Sequence, residues 1–343
     1  MKRIITFGEL LIRMAAPGYT KLFQKDSFDV SFCGGEANVA ASLALFGLDS
    51  RYVTKLPNNE IGRAAEAFLK SFNVDSSGIV KGEGRMGLYY LEKGASQRPS
   101  KVIYDRKNSV FSLSKCSEYN WDRLFEKADW FHFTGITPAL SEELADICLI
   151  ACKKAKEIGI TVSCDLNYRQ KLWTNKEVAQ NTLKRYMPYV DVCIANEEDA
   201  DKALGLKADN SDVNSGLLDI KAYEKVARAI SEKFGCKFVA MTLRESYSAS
   251  VNGWSALLFS LDSNEVCLSN KYEIQIVDRV GGGDSFAAGL VFGLITGMGN
   301  QETIDFATAA SCLKQTIEGD FNRSTVSDVL NLIRNGGNGR VCR

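Results

Sequence analysis

The sequence predicts an α/β fold with a doubly wound, mostly parallel sheet, helices on both faces and a small second β-sheet. Two observations lead to this prediction. After about residue 120, short apolar runs alternate with segments of helical period, as expected of strands and crossover helices in a parallel sheet. Two stretches of the first third, residues 12–33 and 86–110, have strand character without a helical period. With 343 residues, 45% of them hydrophobic, the chain can bury a large core without disulfides or metal ions.

The first third contains four elements of the large sheet and both strand-rich stretches. The predicted elements are a strand at 4–7, a helix at 38–46, a strand at 51–54 and a helix at 61–72. The strand-rich stretches interrupt this series, and we expect them to form a small sheet over the edge of the large one, as a lid. The predicted domains are a core of residues 1–11, 34–85 and 111–343 and a lid of residues 12–33 and 86–110.

The rest of the chain alternates more regularly. Helical period and a capping Ser141 predict a helix at 141–158, which Gly159 ends. Asn252-Gly253 predicts a hairpin turn, and the polar segment 209–216 predicts a loop. The remaining predictions are strands at 129–133, 160–164, 190–195 and 237–242, and helices at 176–187, 222–234, 284–296, 301–317 and 325–334.

Composition argues against several classes of function. Lys plus Arg balances Asp plus Glu at 42 each, so we expect neither a nucleic-acid nor a membrane partner. The ten cysteines form no CxxC pair, which argues against structural zinc, and free thiols without an export signal predict a cytoplasmic protein. The single histidine, His132, lies in an apolar run that predicts a buried strand. A structural role is the favoured interpretation, and Ser-His-Asp or Cys-His catalysis would depend on this one residue.

The segment Gly281-Gly282-Gly283-Asp284 stands directly before an apolar helix. Glycines allow a tight turn and close approach of a ligand to their amides, and a helix N-terminus adds N–H donors and a positive dipole end. Together these features predict an anion-binding site. Asp284 would repel an anion, which suggests a general base that takes the proton from an attacking hydroxyl group. An ordinary glycine loop capped by Asp284 explains this segment alone equally well.

Two widespread phosphate motifs do not fit the sequence. A P-loop requires Gly-Lys, a dipeptide that this chain lacks, and a dinucleotide fingerprint requires a third glycine where Phe286 stands. The segment from Asp278 to Gly289, Asp-Arg-Val-Gly-Gly-Gly-Asp-Ser-Phe-Ala-Ala-Gly, instead resembles the C-terminal signature of the ribokinase-like carbohydrate kinases. Cys33-Gly34-Gly35-Glu36-Ala37-Asn38 resembles their N-terminal glycine-rich segment, with Asn38 opening the first helix. The resemblance extends from about residue 3 to 332 and implies the ribokinase-like fold.

Four further segments resemble those of the family's kinases for 2-keto-3-deoxygluconate, an acidic sugar. A planar guanidinium can grip a substrate carboxylate in two places, so Arg106 and Arg169 are the candidates for that contact. Tyr89 and Tyr104 can bond sugar oxygens while their rings cover the apolar face. The alternative for each arginine is a surface salt bridge. The segments are Gly87-Leu88-Tyr89-Tyr90, Val102-Ile103-Tyr104-Asp105-Arg106, Thr134-Gly135-Ile136-Thr137-Pro138-Ala139-Leu140, and Asp165-Leu166-Asn167-Tyr168-Arg169 followed by Leu172-Trp173.

The resemblance implies roles for further residues. By this likeness, the substrate would contact Gly34, Gly35, Asn38 and Asp320, and the phosphates would lie near Asn167 and Arg169. Gly282 replaces a common alanine, which keeps the backbone amides at the cost of some rigidity.

Two other departures from the family pattern concern the nucleotide and its metal. The turn after the strand at 237–242 has no glycine here, so we expect Arg244 and Ser246 to contact the nucleotide instead. Asn196-Glu197-Glu198-Asp199 resembles an element that influences magnesium through water, with Asn196 near the nucleotide. Glu198 and Asp199 could orient a hydrated Mg²⁺, and the alternative is simply the acidic first turn of a helix.

These features predict a kinase that transfers the γ-phosphoryl group of Mg·ATP to the terminal hydroxyl of 2-keto-3-deoxygluconate. Asp284 would be the base, the Gly281 to Gly283 amides the anion hole, and Arg106 and Arg169 the substrate grip. The alternatives are a kinase for a neutral sugar such as fructose, or for a nucleoside, and a non-catalytic sugar-acid sensor, against which the intact Asp284 argues. A lid would expose strand edges and an apolar face, so we expect a homodimer or higher homo-oligomer formed through it.

Overall fold

The computed structural model describes residues 1–206 and 219–337, and the loop predicted at 209–216 lies outside them. The strands are β1 (Arg3–Phe7), β2 (Leu11–Ala15), β3 (Asp29–Cys33), β4 (Asp49–Pro57), β5 (Ile79–Gly82), β6 (Gly87–Glu92), β7 (Lys101–Asp105), β8 (Trp130–Thr134), β9 (Thr161–Asp165), β10 (Val192–Ala195), β11 (Phe238–Ser246), β12 (Val251–Ser260), β13 (Glu265–Leu268) and β14 (Tyr272–Gln275). The helices are α1 (Gly35–Leu45), α2 (Glu60–Lys70), α3 (Trp121–Leu124), α4 (Glu142–Glu157), α5 (Lys176–Lys184), α6 (Glu197–Asp199), α7 (Ile220–Phe234), α8 (Gly282–Thr296), α9 (Asn300–Gln315) and α10 (Val326–Asn335).

The large sheet has the strand order β13-β12-β11-β10-β9-β8-β1-β4-β5, and β14 also pairs with β12. All neighbours from β11 to β5 are parallel, whereas β12 runs antiparallel to β11. All five residues of β8, at the centre, are buried. A strand that is buried on both faces is typical of a parallel sheet between two helix layers. The predicted doubly wound α/β class is confirmed.

Two hydrophobic cores lie on opposite faces of this sheet. Successive side chains of a strand point to opposite faces, so Ile4 packs with α1, α8, α9 and α10, whereas Ile5 packs with α4, α5 and α7. Both side chains are completely buried. Burial of one such side chain stabilises the fold by about 1.5–3 kcal/mol. The sheet therefore fixes the position of the strand ends, from which the loops of the candidate site extend.

A second sheet of four strands has the order β3-β2-β6-β7, with β2 and β6 parallel and the other pairs antiparallel. The predicted small sheet is confirmed, and the division into core and lid domains stays a prediction. Residues directly opposite each other across a sheet share a face. One such row contacts Asp320, outside the small sheet, through Arg13 and Tyr89. The row consists of Ser31, Arg13, Tyr89 and Tyr104.

Two local predictions are wrong. Asn252 and Gly253 lie inside β12, opposite Ser246 and Glu245, and the chain reverses between residues 247 and 250. The glycine serves packing there, since a Cβ at Gly253 would lie 2.8 Å from the hydroxyl oxygen of Tyr247. The helix α1 begins at Gly35, so Asn38 belongs to its first turn and does not open it.

His132 is completely buried on β8, and its Nδ1 lies 2.8 Å from Ser163 Oγ. Burial lowers its pKa to about 3, so the ring is neutral. Its position in the sheet supports the structural role. Across residues 1–206 and 219–337, nine cysteines are free and none of the helices is long and apolar enough to cross a bilayer.

Candidate active site

A cavity of about 450 Å³ lies where the small sheet meets the carboxyl ends of β9, β10 and β11. Open α/β sheets bind ligands at these strand ends, where loops from neighbouring strands converge. Ser246, at the end of β11, is the one predicted site residue that does not line the cavity. The predicted residues that do line it are Gly34, Gly35, Asn38, Tyr89, Tyr104, Arg106, Asn167, Arg169, Asn196, Glu198, Asp199, Arg244, Gly281, Gly282, Gly283, Asp284 and Asp320.

The turn before α8 depends on a close backbone approach. Gly281 has a φ of 81°, and a Cβ there would lie 2.0 Å from the carbonyl oxygen of Asp320. A side chain would therefore meet both backbone strain and a clash, so the position requires glycine. This contact joins the turn to the segment that follows α9.

Hydrogen bonding at the start of α8 differs in one respect from the prediction. The Gly282 N–H donates to the carbonyl oxygen of Arg279 at 3.2 Å, and the Ser285 N–H donates to Gly281 at 2.9 Å. The Gly282 amide is therefore engaged and not free for an anion, contrary to the prediction, because the turn closes on itself before the helix begins. Among the described residues, no acceptor is found for the N–H groups of Gly281, Gly283 and Asp284, so these are the open donors of this helix start.

Asp284 lies in the first turn of α8 and faces the cavity. Its Oδ2 accepts a hydrogen bond of 2.7 Å from Asn38 Nδ2. Burial raises the pKa of Asp284 to about 7, and the neighbouring carboxylates of Asp320 and Glu36 act in the same direction. The Asn38 hydrogen bond and the charge of Arg169 oppose this rise. A carboxylate that titrates near neutrality suits proton transfer in both directions.

Two asparagine oxygens in the cavity wall have no hydrogen-bond partner among the residues that the structure describes. They are Asn38 Oδ1 and Asn167 Oδ1, and both residues are more than nine-tenths buried. Asn167 also has a φ of 36°, a left-handed conformation that asparagine tolerates better than most residues. Buried polar atoms normally have partners, so these two are suited to bonding a ligand.

Arg106 is buried and already paired with a carboxylate of the protein itself. Its Nε donates to Glu9 Oε2 at 2.8 Å, and its Nη2 lies 2.6 Å from the same oxygen. Glu9 also accepts a hydrogen bond from Ser109 Oγ. The salt bridge is an internal one, which excludes the surface alternative, and it compensates the guanidinium charge before any substrate binds.

Arg169 differs from Arg106 because its guanidinium is exposed and, in the part of the chain that the structure describes, has no ion-paired carboxylate. Its Nη1 donates to the carbonyl oxygen of Tyr168 at 3.1 Å. Its positive charge acts on three carboxyl groups around the cavity and opposes the rise of their pKa. These are Asp165, Asp199 and Asp284. Arg169 therefore has charge available for an acidic ligand.

Asp320 belongs to a buried network that the sequence did not reveal. Its Oδ1 accepts from Arg13 Nη1, and its Oδ2 accepts from the Tyr89 hydroxyl at 2.7 Å. The other amino group of Arg13 lies 2.5 Å from Asp278 Oδ2. Arg13, Asp278 and Asp320 are each at most 4% exposed. The network fastens β2 and β6 of the small sheet to the turn before α8.

Lys314 is a second buried cation near that turn. It is completely inaccessible, and its Nζ donates to the carbonyl oxygen of Asp278 at 3.0 Å and lies 3.5 Å from that of Ile317. Burial lowers its pKa from the usual lysine value. The ammonium group bridges the chain entering α8 and the chain leaving α9.

Gly282, the central glycine of the three before Asp284, has a packing reason. A Cβ on Gly282 would lie 3.0 Å from Gln315 Cγ. Gln315 is buried, and its carbonyl oxygen accepts the N–H groups of Val277 and Asp278. Glycine thus makes room for the residue that supports the approach to the turn.

Two buried carboxyl groups lie on the opposite wall. Burial raises the pKa of Asp199 to about 6 and that of Asp165 well above its usual range. Asp199 Oδ1 accepts the N–H of Tyr168, and Asn196 Oδ1 accepts the N–H of Asp199. Asp165 was not predicted as a site residue, although its place at the end of β9 could have indicated it. Across residues 1–206 and 219–337, no three His, Cys, Asp or Glu side chains cluster as metal ligands would.

Comparison with known proteins shows what this chain is similar to. A model described as pfkB family carbohydrate kinase matches residues 1–323. The chain is 30% identical to a 2-dehydro-3-deoxygalactonokinase of Haloferax volcanii over 336 residues, 98% of both chains. It is 28% identical to a 2-dehydro-3-deoxygluconokinase of Bacillus subtilis, covering 93% of this chain and 91% of the relative. The solved 2-dehydro-3-deoxygluconokinase of Thermotoga maritima is 48% identical, with a TM-score of 0.93, and the match covers 98% of this chain and all of that one.

Proposed function

This chain belongs to the pfkB family of carbohydrate kinases, and we propose that it transfers the γ-phosphoryl group of ATP to the terminal hydroxyl of 2-keto-3-deoxygluconate, also called 2-dehydro-3-deoxygluconate. One observation of the site carries the choice of an acidic substrate. Arg169, a guanidinium without an ion-paired partner within the described residues, lines the same cavity as Asp284. A neutral sugar would leave the charge of Arg169 uncompensated, whereas a sugar carboxylate can accept hydrogen bonds from two of its N–H groups.

Asp284 is the proposed general base. The acceptor hydroxyl would lie against its carboxylate, which the Asn38 amide holds in place. Asp284 takes the hydroxyl proton while the sugar oxygen forms its bond to the γ-phosphorus. The bond between that phosphorus and the bridging oxygen breaks, and its electron pair remains on the ADP product. The open N–H groups of Gly283 and Asp284 would stabilise the charge on the transferred group.

The substrate side of the cavity has a defined set of polar groups. The Arg106 guanidinium keeps N–H groups that Glu9 does not use, and these can bond a keto or hydroxyl oxygen. Tyr104 lines the wall beside it, with its ring centre 5.8 Å from the guanidinium carbon. Asp320 and Tyr89 already bond each other, so any sugar contact they make adds to an existing network.

The opposite wall fits a hydrated magnesium ion bound to the nucleotide. Asp165, Glu198 and Asp199 line it, and Mg²⁺ prefers oxygen ligands while it keeps several waters. When bound, the ion would neutralise charge on the phosphates. Asp165 and Asp199 would orient the waters of the ion. Asn196 caps α6 by accepting the backbone N–H of Asp199, and this would help to hold Asp199 in position.

A coupled assay with Mg·ATP tests the substrate assignment. The panel contains 2-keto-3-deoxygluconate, 2-keto-3-deoxygalactonate, gluconate, fructose, ribose and adenosine. We expect turnover of the keto-deoxy acids and little with the neutral compounds. Better turnover of fructose would refute the acidic substrate and leave Asp284 as the base. A protein that binds the sugar acid but transfers nothing would favour the sensor.

Asp284→Asn tests the base within the same assay. The amide keeps the shape and can still bond Asn38, but it cannot accept the proton. We expect kcat to fall by roughly 10²–10⁴-fold with the fold intact. Retention of a large share of the activity in a folded variant would show that another group takes the proton.

We also propose that a second copy of the chain covers the outer face of the small sheet. Val30, Met14, Tyr90 and Ile103 form a row on that face, and Val30 is 63% and Ile103 53% exposed. Light scattering at micromolar concentration should show a dimer or larger assembly, which Ile103→Lys should weaken. A wild-type monomer would contradict the proposal. A cytoplasmic location stays a prediction.

A further inference from the structure

Two arginines that sequence reasoning did not pair line the same cavity. Arg244 lies on β11, two residues before its carboxyl end, and Arg279 lies two residues before Gly281. Both line the cavity, together with Thr242 and Trp254. Sequence reasoning assigned no role to Arg279, although it stands inside the glycine signature.

The contacts of Arg279 are few and long. Its Nη2 lies 3.3 Å from the side-chain oxygen of Asn252 and 3.5 Å from the carbonyl oxygen of Ala249. Both acceptors are neutral. Over the described ranges 1–206 and 219–337, neither Arg279 nor Arg244 forms an ion pair, whereas Arg13 and Arg106 each do.

Strand register places the two guanidinium groups on one side of the β11–β12 hairpin. Arg244 is opposite Trp254, and Ser246 is opposite Asn252. Residues two apart on a strand share a face, and directly opposite residues do as well, so Arg244 and Asn252 lie on the same face. Arg279 contacts that face through Asn252. Burial lowers the pKa of Arg279, and the charge of Arg244 lowers it further.

An exposed arginine without a counter-ion needs no explanation, but Arg279 is partly buried beside a second positive charge. Burying an unpaired charge is costly, and a like charge nearby adds to that cost. An anion with at least two negative charges would compensate the unpaired charge of Arg279 and the repulsion between the two arginines. Both arginines line the cavity that Gly283 and Asp284 also line, so the terminal phosphates of a nucleotide whose transferred phosphoryl group reaches Asp284 would lie in the same cavity as the pair.

We propose that Arg244 and Arg279 form a two-arginine clamp for the terminal phosphates of the nucleotide, in place of a glycine turn after β11. This deepens the proposed function and depends on it. When the γ-phosphorus leaves its bridging oxygen, the negative charge that develops stays on the ADP side, and Arg279 binds it there. Guanidinium groups suit this role because their planar N–H pairs match phosphate oxygens.

The test compares ADP with adenosine, measured by titration calorimetry on the full chain with Mg²⁺ present. Arg279→Met and Arg244→Met should each weaken ADP binding by roughly tenfold to a hundredfold, as expected for a lost charge-assisted bond. Adenosine, which has no phosphate, should bind with an affinity within about twofold of wild type in both variants. Arg63→Met, at an exposed pair on α2, is the control for loss of one positive charge.

Unfolding of the ligand-free variants separates the clamp from a structural role. Removing one of two unpaired like charges should leave the thermal midpoint unchanged or raise it. A structural role through Asn252 and Ala249 predicts a lower midpoint and equal losses of ADP and adenosine binding, and that result would overturn the clamp. Unaltered ADP binding in both variants would overturn it too. A wild-type protein that binds no adenine nucleotide would overturn the proposed function itself, and the clamp with it.

Discussion

The cations that the small sheet contributes and those that the large-sheet part of the chain contributes are organised in opposite ways. Arg13 and Arg106, from the small sheet and the segment that directly follows β7, are buried and paired with carboxylates of the chain. Arg169, Arg244 and Arg279, from the large-sheet part, have no ion-paired carboxylate within residues 1–206 and 219–337. The first group holds the shape of the site, and the second keeps its charge free for ligands.

The difference shows what burial does to an arginine. A buried guanidinium needs an ion-paired partner at all times. Removing such an arginine leaves a carboxylate buried without its counter-charge and lowers stability. An unpaired guanidinium at a cavity wall contributes little to the ligand-free fold, so its loss appears in binding. The two groups should therefore respond to mutation in different assays.

Arg13→Met should have the largest effect, because it leaves Asp278 and Asp320 buried without their counter-charge. We expect the free energy of unfolding to fall by about 3–5 kcal/mol at pH 7, measured by urea denaturation. Arg63→Met, which breaks an exposed pair with Glu60, should leave the free energy of unfolding nearly unchanged. A loss below about 1 kcal/mol for Arg13→Met would mean that the network does not hold the small sheet.

Arg106→Met and Arg169→Met sharpen the comparison directly. Arg106→Met leaves Glu9 buried without its counter-charge, although Glu9 keeps its hydrogen bond from Ser109. The free energy of unfolding should therefore fall by about 2–3 kcal/mol. Arg169→Met should leave stability within about 0.5 kcal/mol and raise KM for the sugar acid roughly tenfold or more. Unfolding midpoints and initial rates are measured on both variants. Equal stability losses would erase the distinction between the two groups.

The pH dependence of kcat/KM reports the environment of Asp284, which lines the same cavity as the unpaired arginines. Asp284 must be ionised to accept a proton, and its pKa is raised to about 7. Activity should therefore rise about tenfold per pH unit below 7 and level off above it. Because the pKa is raised on folding, this group favours the folded state most below pH 4, and the contribution is lost as pH rises through 7. A midpoint near pH 4 would show an ordinary, solvated carboxylate.

Gly282→Ala should have the smallest effect. Alanine restricts the unfolded chain and favours a helix start, but its Cβ would meet Gln315 at 3.0 Å. The two effects oppose each other, so we expect a stability change within about 1 kcal/mol and a modest change in kcat. A loss above about 3 kcal/mol would mean that Gln315 cannot move.

The sequence was sufficient where the pattern is local. Alternating elements predicted the sheet, and three glycines before Asp284 predicted a helix start there, with Asp284 in the first turn of α8. The buried role of Arg13 could not be predicted, because a strand such as Leu11-Ile12-Arg13-Met14-Ala15 alternates like any half-exposed strand. Its partners lie 265 and 307 residues away. Arg279 was missed for a similar reason, since only the hairpin register places it beside Arg244.

The fastening of β2 to the turn before α8 has a consequence for the timing of catalysis. Any motion that carries the small sheet away from the core must break both ion pairs of Arg13. Each ~1.4 kcal/mol that this breakage costs makes the form with the small sheet moved away, the open form, tenfold rarer. The same motion withdraws support from Asp278, so the turn that presents Asp284 loosens as the cavity opens. An open form would therefore lose the support of the turn, so we expect phosphoryl transfer to take place in the arrangement in which Arg13 keeps both ion pairs.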